Sequence, residues 1–505
     1  MTFTEGKLNL LTLPNELLLV VFSHLQNPYP LYQLSTLCRR LHFLALPIYL
    51  SRTGVCQYNS ESAESCDISI SAENTDTLAA LQTSLFLRTV QNLCCTFSNP
   101  QQFQDLARFR SVCSILSSIE TTILQFSPPS YDDYFEASYC NAVVQVLNAV
   151  VEKSCRDLTV DVVPDDSIAR MARMSRKRAL ASNHPRGLRD YMTTGVSSIP
   201  LSPVAFRQKT LSTFRLHSQL LFSPHCRAWT IDVLNSFPLT FVSFNVPTVP
   251  TDALEALFMV TEIPTLRDLA VLDCRIKPAQ LHLFLSRHPR ITRLHLGSVF
   301  VPSLEERLPP DHLPNLRELS APAAQVAYLL QAMQRTAALR SVRVLSYLTR
   351  LDLIFTDVSL RTVTSRLASV SLTLVFNVPS NLPRFVVDLD VQFHEDSALR
   401  FVTALEFVFE ADNVEFSKLS DYVSLTKWCE PFPALKTVTL SGFTSNYSTS
   451  FVLEAFGAHS FVETLLVNGV AYDLRGAPGR SGGRWAPHMG VVGPCLTDWD
   501  PSIQP

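Results

Sequence analysis

Three stretches of this chain carry one apolar pattern at one fixed interval, and that beat constrains the fold more than any other feature. Leu266-x-x-Leu269-x-Val271-x-x-Cys274-x-Ile276 is the fullest copy. Ile291-x-x-Leu294-x-Leu296 restarts it 25 residues on, and Leu316-x-x-Leu319-x-Ala321 another 25 residues later. Pro264, Pro289 and Pro314 each stand two residues ahead of a start. Proline there stops a preceding helix and favours an extended entry. Alternation of apolar residues marks a short strand in each copy. Asp252 to Val260, Pro278 to Arg287 and Gln325 to Arg335 carry apolar residues at helical spacing between them. A strand-then-helix unit of this size cannot bury its apolar face alone, so neighbouring units must stack.

Weaker copies flank this centre. They are Val90-x-x-Leu93, Cys155-x-x-Leu158-x-Val160, Leu211-x-x-Phe214-x-Leu216, Leu239-x-x-Val242-x-Phe244, Leu348-x-x-Leu351-x-Leu353, Leu435-x-x-Val438-x-Leu440 and Val462-x-x-Leu465-x-Val467. The pattern is similar to leucine-rich repeats. The ninth position, where regular repeats place asparagine, holds Cys274 once but Val299, Ala324 and Phe443 elsewhere, so an irregular solenoid is expected: a curved parallel sheet with helices on its outer face. A doubly wound α/β domain also alternates strands and helices and is the competing architecture. In a solenoid the outward strand positions meet a partner. Here those positions are Asp268, Ala270, Arg293, His295, Glu318, Ser320, Thr437 and Thr439, a mixture of charges that suits a protein substrate.

The first fifty residues follow a different rule. Leu13-Pro14-x-Glu16-Leu17-Leu18 opens a helix, with proline in the first turn and an acid near the positive end of the helix dipole. Val21, Phe22 and Leu25 continue its apolar face, and Leu19 and Val20 widen it. After Asn27-Pro28-Tyr29-Pro30, a second helix is expected through Leu31, Leu34, Leu37, Cys38 and Leu41, with Arg39-Arg40 towards its carboxyl end. A third apolar segment, Leu44 to Leu50, follows. So small a helical module is marginal without a partner. The two strings, including Leu34-Ser35-x-Leu37-Cys38-Arg39-Arg40-Leu41, resemble the F-box family. The resemblance implies a three-helix fold that docks on the Skp-type adaptor of a cullin-based ubiquitin ligase. Leu13, Pro14, Leu17, Leu18, Val21 and Phe22 would supply adaptor contacts, and Leu34, Leu37, Cys38 and Leu41 would be shared between module core and interface. Family members often carry an aromatic where Leu41 or His42 stands.

The fold class expected is therefore α/β: an F-box module at 9–55, a linker at 56–80, the solenoid at 81–474 with an insertion at 165–200, and a Gly/Pro-rich disordered tail at 475–505. Arg170, Arg173, Arg176, Lys177, Arg178, Arg186 and Arg189 gather in the insertion, which reads as a solvated loop with a short helix or, alternatively, as a nuclear-localisation or acidic-partner patch. With 42 basic against 45 acidic residues the chain has no global footprint for nucleic acid or anionic membrane. The scattered cysteines lack zinc spacing and read as reduced core residues. No signal peptide or spanning helix is expected, which points to the cytoplasm, the nucleus or both. Phosphate-cradling loops and the common hydrolase motifs do not occur, and His394-Glu395-Asp396 reads as a charged turn. The expectation is thus a non-catalytic substrate receptor with no cofactor and no metal, partnered by the adaptor, through it a cullin, and an unknown protein. Two alternatives are a scaffold that binds only the adaptor and an α/β enzyme with a helical extension.

Overall fold

The computed structural model describes residues 12–58, 65–71, 77–97, 102–127, 137–163, 209–247, 249–297, 313–333, 338–347, 350–378, 395–409, 426–427, 429–442, 452–453, 456 and 462–475. The basic stretch at 165–200, residues 476–505, Val299, Leu348, His394 and Phe443 lie outside them. The chain divides into two compact units, residues 1–249 with 260–265, and residues 250–259 with 266–505.

The first unit begins with three helices, α1 (Asn15–His24), α2 (Tyr29–Ser35) and α3 (Arg39–Arg52). Pro14 precedes α1, and its carbonyl accepts from the Leu18 amide. The expected second helix is split. α2 ends at Ser35, and Arg39-Arg40 start α3 instead of closing α2. The Ser35 and Thr36 hydroxyls bond back to the Tyr32 and Gln33 carbonyls, a local competition that stops helices, and Cys38 is fully extended. Leu18, Phe22, Leu31, Leu41, Ala45, Leu46 and Leu50 form the core of this module.

No linker follows. The stretch expected to be one holds β1 (Cys56–Tyr58), β2 (Ser65–Ile70) and the start of α4 (Thr77–Thr83). Val55, Cys56, Cys66, Ile68 and Ile70 are buried, so apolar alternation outweighs the polar residues around it. The sheet continues through β3 (Thr89–Phe97), β4 (Ser118–Phe126), β5 (Asp157–Val162), β6 (Thr213–Leu216) and β7 (Phe241–Asn245). β1 is antiparallel to β2, and every later pairing in this unit is parallel and joins neighbours in the chain. A doubly wound sheet reverses its strand order at a switch point, and this unit does not. Helices α5 (Gln102–Ile115), α6 (Ala137–Val151) and α7 (Pro224–Ser236) cover one face. Phe97 meets Phe109 of α5 edge-on at 5.5 Å and stacks on Phe126 at 5.2 Å, and Phe214 meets Trp229 of α7. Ser223 caps α7, accepting from the Cys226 amide, with Pro224 in its first turn.

The second unit repeats the plan with α8 (Thr251–Val260), α9 (Pro278–Arg287), α10 (Ala323–Ala332), α11 (Arg350–Arg361) and α12 (Thr364–Leu367). Its strands are β8 (Asp268–Leu272), β9 (Arg293–Leu296), β10 (Glu318–Pro322), β11 (Ser341–Tyr347), β12 (Ser371–Val378), β13 (Val402–Phe409), β14 (Thr437–Ser441), β15 (Thr464–Val467) and β16 (Val470–Asp473). The 25-residue beat appears as register, with Asp268 beside Arg293 and Arg293 beside Glu318. Leu266, Leu269, Val271, Cys274 and Ile276 are all buried. Pairing is parallel and in chain order up to β15, and β16 turns back antiparallel through Asn468-Gly469. Both turn residues have positive φ, 46° and 82°, as a two-residue hairpin of this hand requires. The Leu348 copy is not a strand, because Leu351 and Leu353 lie on α11. The same spacing recurs in Leu339, just before β11, and Val342 and Val344 within it, all three buried.

Candidate protein-docking surfaces

Two arginines of α3 fasten α1 at both ends. Arg40 donates through Nε to Asn15 Oδ1 (2.9 Å) and through Nη2 to the Leu13 carbonyl. Arg52 donates to the carbonyls of Leu25 and Ser23, at the end where a helix leaves carbonyls unsatisfied. Held this way, α1 turns only Leu18 and Phe22 inward, both fully buried. Leu17 (51% exposed), Val20 (53%) and Val21 (42%) share the outward face at helical spacing, and Leu37, in the turn before α3, is 70% exposed.

This sorts the residues that the F-box resemblance marked for adaptor contact. Pro14, Leu17, Val21 and Leu37 are exposed, and Leu13, Leu34 and Cys38 are half-buried. Leu18, Phe22 and Leu41 belong to the core of the chain itself, since a stripe one turn wide must be spent inside before any is left for a partner. Leu19, Val20 and Phe43 are also exposed and were missed; the extra apolar breadth of α1 was the signal for Leu19 and Val20.

His42 on α3 is buried, and its ring reaches the segment that follows α4. Nε2 accepts from the Leu85 amide at 3.2 Å, and Nδ1 lies 3.1 Å from the Ser35 carbonyl. The first contact leaves Nε2 as acceptor, so Nδ1 carries the proton and donates to Ser35. The ring thereby joins the end of α2 to the segment between α4 and β3. His42→Ala is expected to speed hydrogen exchange at the Leu85 amide by tenfold or more, the loss of about 1.5 kcal/mol of local stability; unchanged exchange would refute this link.

A second surface is the strand face turned away from the helices. In the second unit it carries Asp268, Arg293, His295, Glu318, Thr437 and Thr439, and Arg293 pairs with Asp268 across β8 and β9. Ala270 and Ser320 sit on the same face but are buried, because small side chains are shaded by longer neighbours such as His295 between them. Arg343 adds an ion pair to Glu406. Burial, with Arg343 nearby, pushes His295 down to about 3.

The first unit carries a polar cluster on the strand face turned away from its helices. Arg215 Nη1 donates to both Asp157 oxygens (2.7 and 2.9 Å) and reaches Thr159 Oγ1 at 3.3 Å, and its guanidinium lies 5.3 Å from the Phe241 ring centre. Burial pushes the Asp157 carboxyl up despite Arg215. His217 Nε2 is 3.2 Å from Ser243 Oγ, and burial pushes this histidine down to about 4.

His217 makes acid destabilising. Its folded pKa lies below the unfolded value of about 6.5, so the unfolded chain binds the proton more readily and stability falls as pH drops from about 6.5 towards 4. His217→Gln is expected to lessen the fall in urea midpoint between pH 7 and pH 5, and an identical fall in both proteins would refute the assignment.

Among the described residues no group of three or more His, Cys, Asp or Glu is placed to hold a metal ion, and no helix is long and apolar enough to cross a membrane. No curated protein matches the chain. Residues 10–56 match the F-box-like family, and with its three helices this segment is an F-box-like domain.

Proposed function

We propose that the chain is the substrate-recognition subunit of an SCF-type ubiquitin ligase, active in the cytoplasm or nucleus. The observation that carries this reading is an F-box-like domain whose core is complete while Leu17, Val20, Val21 and Leu37 stand outward. Exposed apolar side chains grouped on one helix face favour a protein partner, and the domain type suggests a Skp-type adaptor. The two units are read as an irregular leucine-rich-repeat solenoid. Support comes from the parallel strands in chain order, the 25-residue register and the burial of the consensus positions. Their open strand faces hold the substrate, and the transfer chemistry belongs to other subunits, so the chain itself is not a catalyst.

Co-expression of the tagged chain with a Skp-type adaptor and a cullin tests the assembly. Recovery of both in fixed proportion is expected. Failure to recover the adaptor overturns the proposal, and adaptor without cullin would leave only a scaffold role.

A further inference from the structure

Outside the F-box-like module, one described helix is at odds with its surroundings. α11 seats its inner face completely: Leu353 and Leu360 are buried, and Asp357 is held by Ser397, the Ala398 amide and Arg361. Its outer face nevertheless carries Leu351 (67% exposed), Ile354 (41%), Phe355 (68%) and Val358 (55%). Spacings of three and four residues bring these side chains into one stripe, about 10 Å long from Leu351 to Val358. Among the described residues, the other helices of the second unit expose at most two large apolar side chains each, Met259 and Val260 on α8. A clustered apolar stripe in water marks a surface that another protein covers.

The order of the side chains says which protein. The stripe reads the same from either end, because a twofold axis between Ile354 and Phe355 sets Leu351 against Val358 and Ile354 against Phe355. Such an isologous pairing runs the two helices antiparallel, so their dipoles oppose and each ring lies on a smaller branched chain. Charge allows it. No ionised group interrupts the stripe, and Arg361 on one flank is neutralised by Asp357. Asp352, on the other flank, comes to lie about 3 Å along the axis from Ser359 of the copy, whose hydroxyl can donate to it. The net charge of the chain is only -3, so two copies repel little. Four side chains at these exposures offer roughly 400 Å² per copy, about half of what each partner gives to an interface of standard size. The pair is therefore weak and reversible.

We propose that α11 is a self-association face: it packs antiparallel on α11 of a second copy of this chain, Leu351 on Val358 and Ile354 on Phe355, and joins two chains through their second units. The pairing needs nothing from α1 and goes beyond the ligase reading. Each pair then presents two copies of every open strand face.

Sedimentation equilibrium of the intact chain, without adaptor, tests this from about 5 to about 300 µM. The average mass is expected to rise from that of one chain towards that of two, with a Kd of about 50 µM. Leu351→Glu alone and Val358→Lys alone are each expected to weaken association at least tenfold, because each sets a charge against an apolar side chain. An equimolar mixture of the two is expected to recover it. The new carboxylate on one chain then meets the new ammonium on the other, while the opposite end keeps its Leu351 to Val358 contact. Only the antiparallel register has that property. Met259→Glu, also exposed but on α8, should leave association unchanged. Circular dichroism of each variant establishes that it is folded, and Leu351→Asp or Val358→Arg serves where one is not. A single chain at every concentration, association unmoved by both single variants, or a mixture that associates no better than either alone overturns the proposal. The adaptor takes no part, so this result and the ligase reading stand or fall separately.

Discussion

Leu17→Asp combined with Val21→Asp is expected to abolish capture of a Skp-type adaptor while leaving the chain folded. Both side chains are about half exposed, so the substitutions remove no core contact and put charges on solvated positions. At an interface, each loses about 2 kcal/mol of apolar burial and adds the desolvation of a carboxylate, which together exceed a thousandfold in affinity. The contrast is Phe22→Ala. That ring is fully buried, and its removal is expected to cost about 3–5 kcal/mol of module stability, so any loss of adaptor would follow from unfolding. Pulldown alone does not separate the two cases; circular dichroism and hydrogen exchange across α1 do. Full adaptor recovery by the folded double variant would remove α1 from the interface.

The second large effect lies in the other unit. Asp357 on α11 is buried and fully engaged: Oδ1 accepts from Ser397 Oγ and the Ala398 amide, both at 2.8 Å, and Oδ2 accepts from Arg361. Ser397 is itself buried and opens the short turn Ala398–Phe401 that leads into β13. Asp357→Ala strands two buried donors, at a cost of about 3 kcal/mol, whereas Asp357→Asn retains the Oδ1 acceptor and is expected to cost about 1 kcal/mol. Local opening reports this more directly than a global melt in a chain of two units. Exchange of the Ala398 amide should accelerate roughly a hundredfold in the alanine variant and under tenfold in the asparagine variant. Equal acceleration in both would show that the carboxylate geometry carries no weight.

The sequence revealed strands where one period governed. Around Leu266, Ile291 and Leu316 the spacing, the prolines and the following helices agree, and the strands lie in register at that interval. It misled where two patterns overlapped. Leu348, Leu351 and Leu353 mimic the strand template, yet the wider run continues at helical spacing through Phe355, Val358 and Arg361 and forms α11. Bulges hid others: β3 carries one extra residue against β2, and β13 shifts against β12, so neither shows clean alternation. Site residues suffered from a different ambiguity. An apolar residue on an amphipathic helix has the same letter whether it faces core or partner, and only burial separates Phe22 from Val21. Arg215 was hidden because its strand is four residues long and stands after a long interruption in the pattern, and His217 lies one residue past the strand's end.

The direct passage from α3 into β1 bears on how such a receptor would act. Only Thr53, Gly54 and Val55 separate helix from strand, Val55 is buried, and His42 adds a second tie through Leu85. An adaptor bound to α1 would therefore be mounted on the first sheet as on a bracket, not on a tether. A captured protein would then be presented at a set reach and angle, and which of its lysines came within range would depend on where they lie on its surface more than on how many it has.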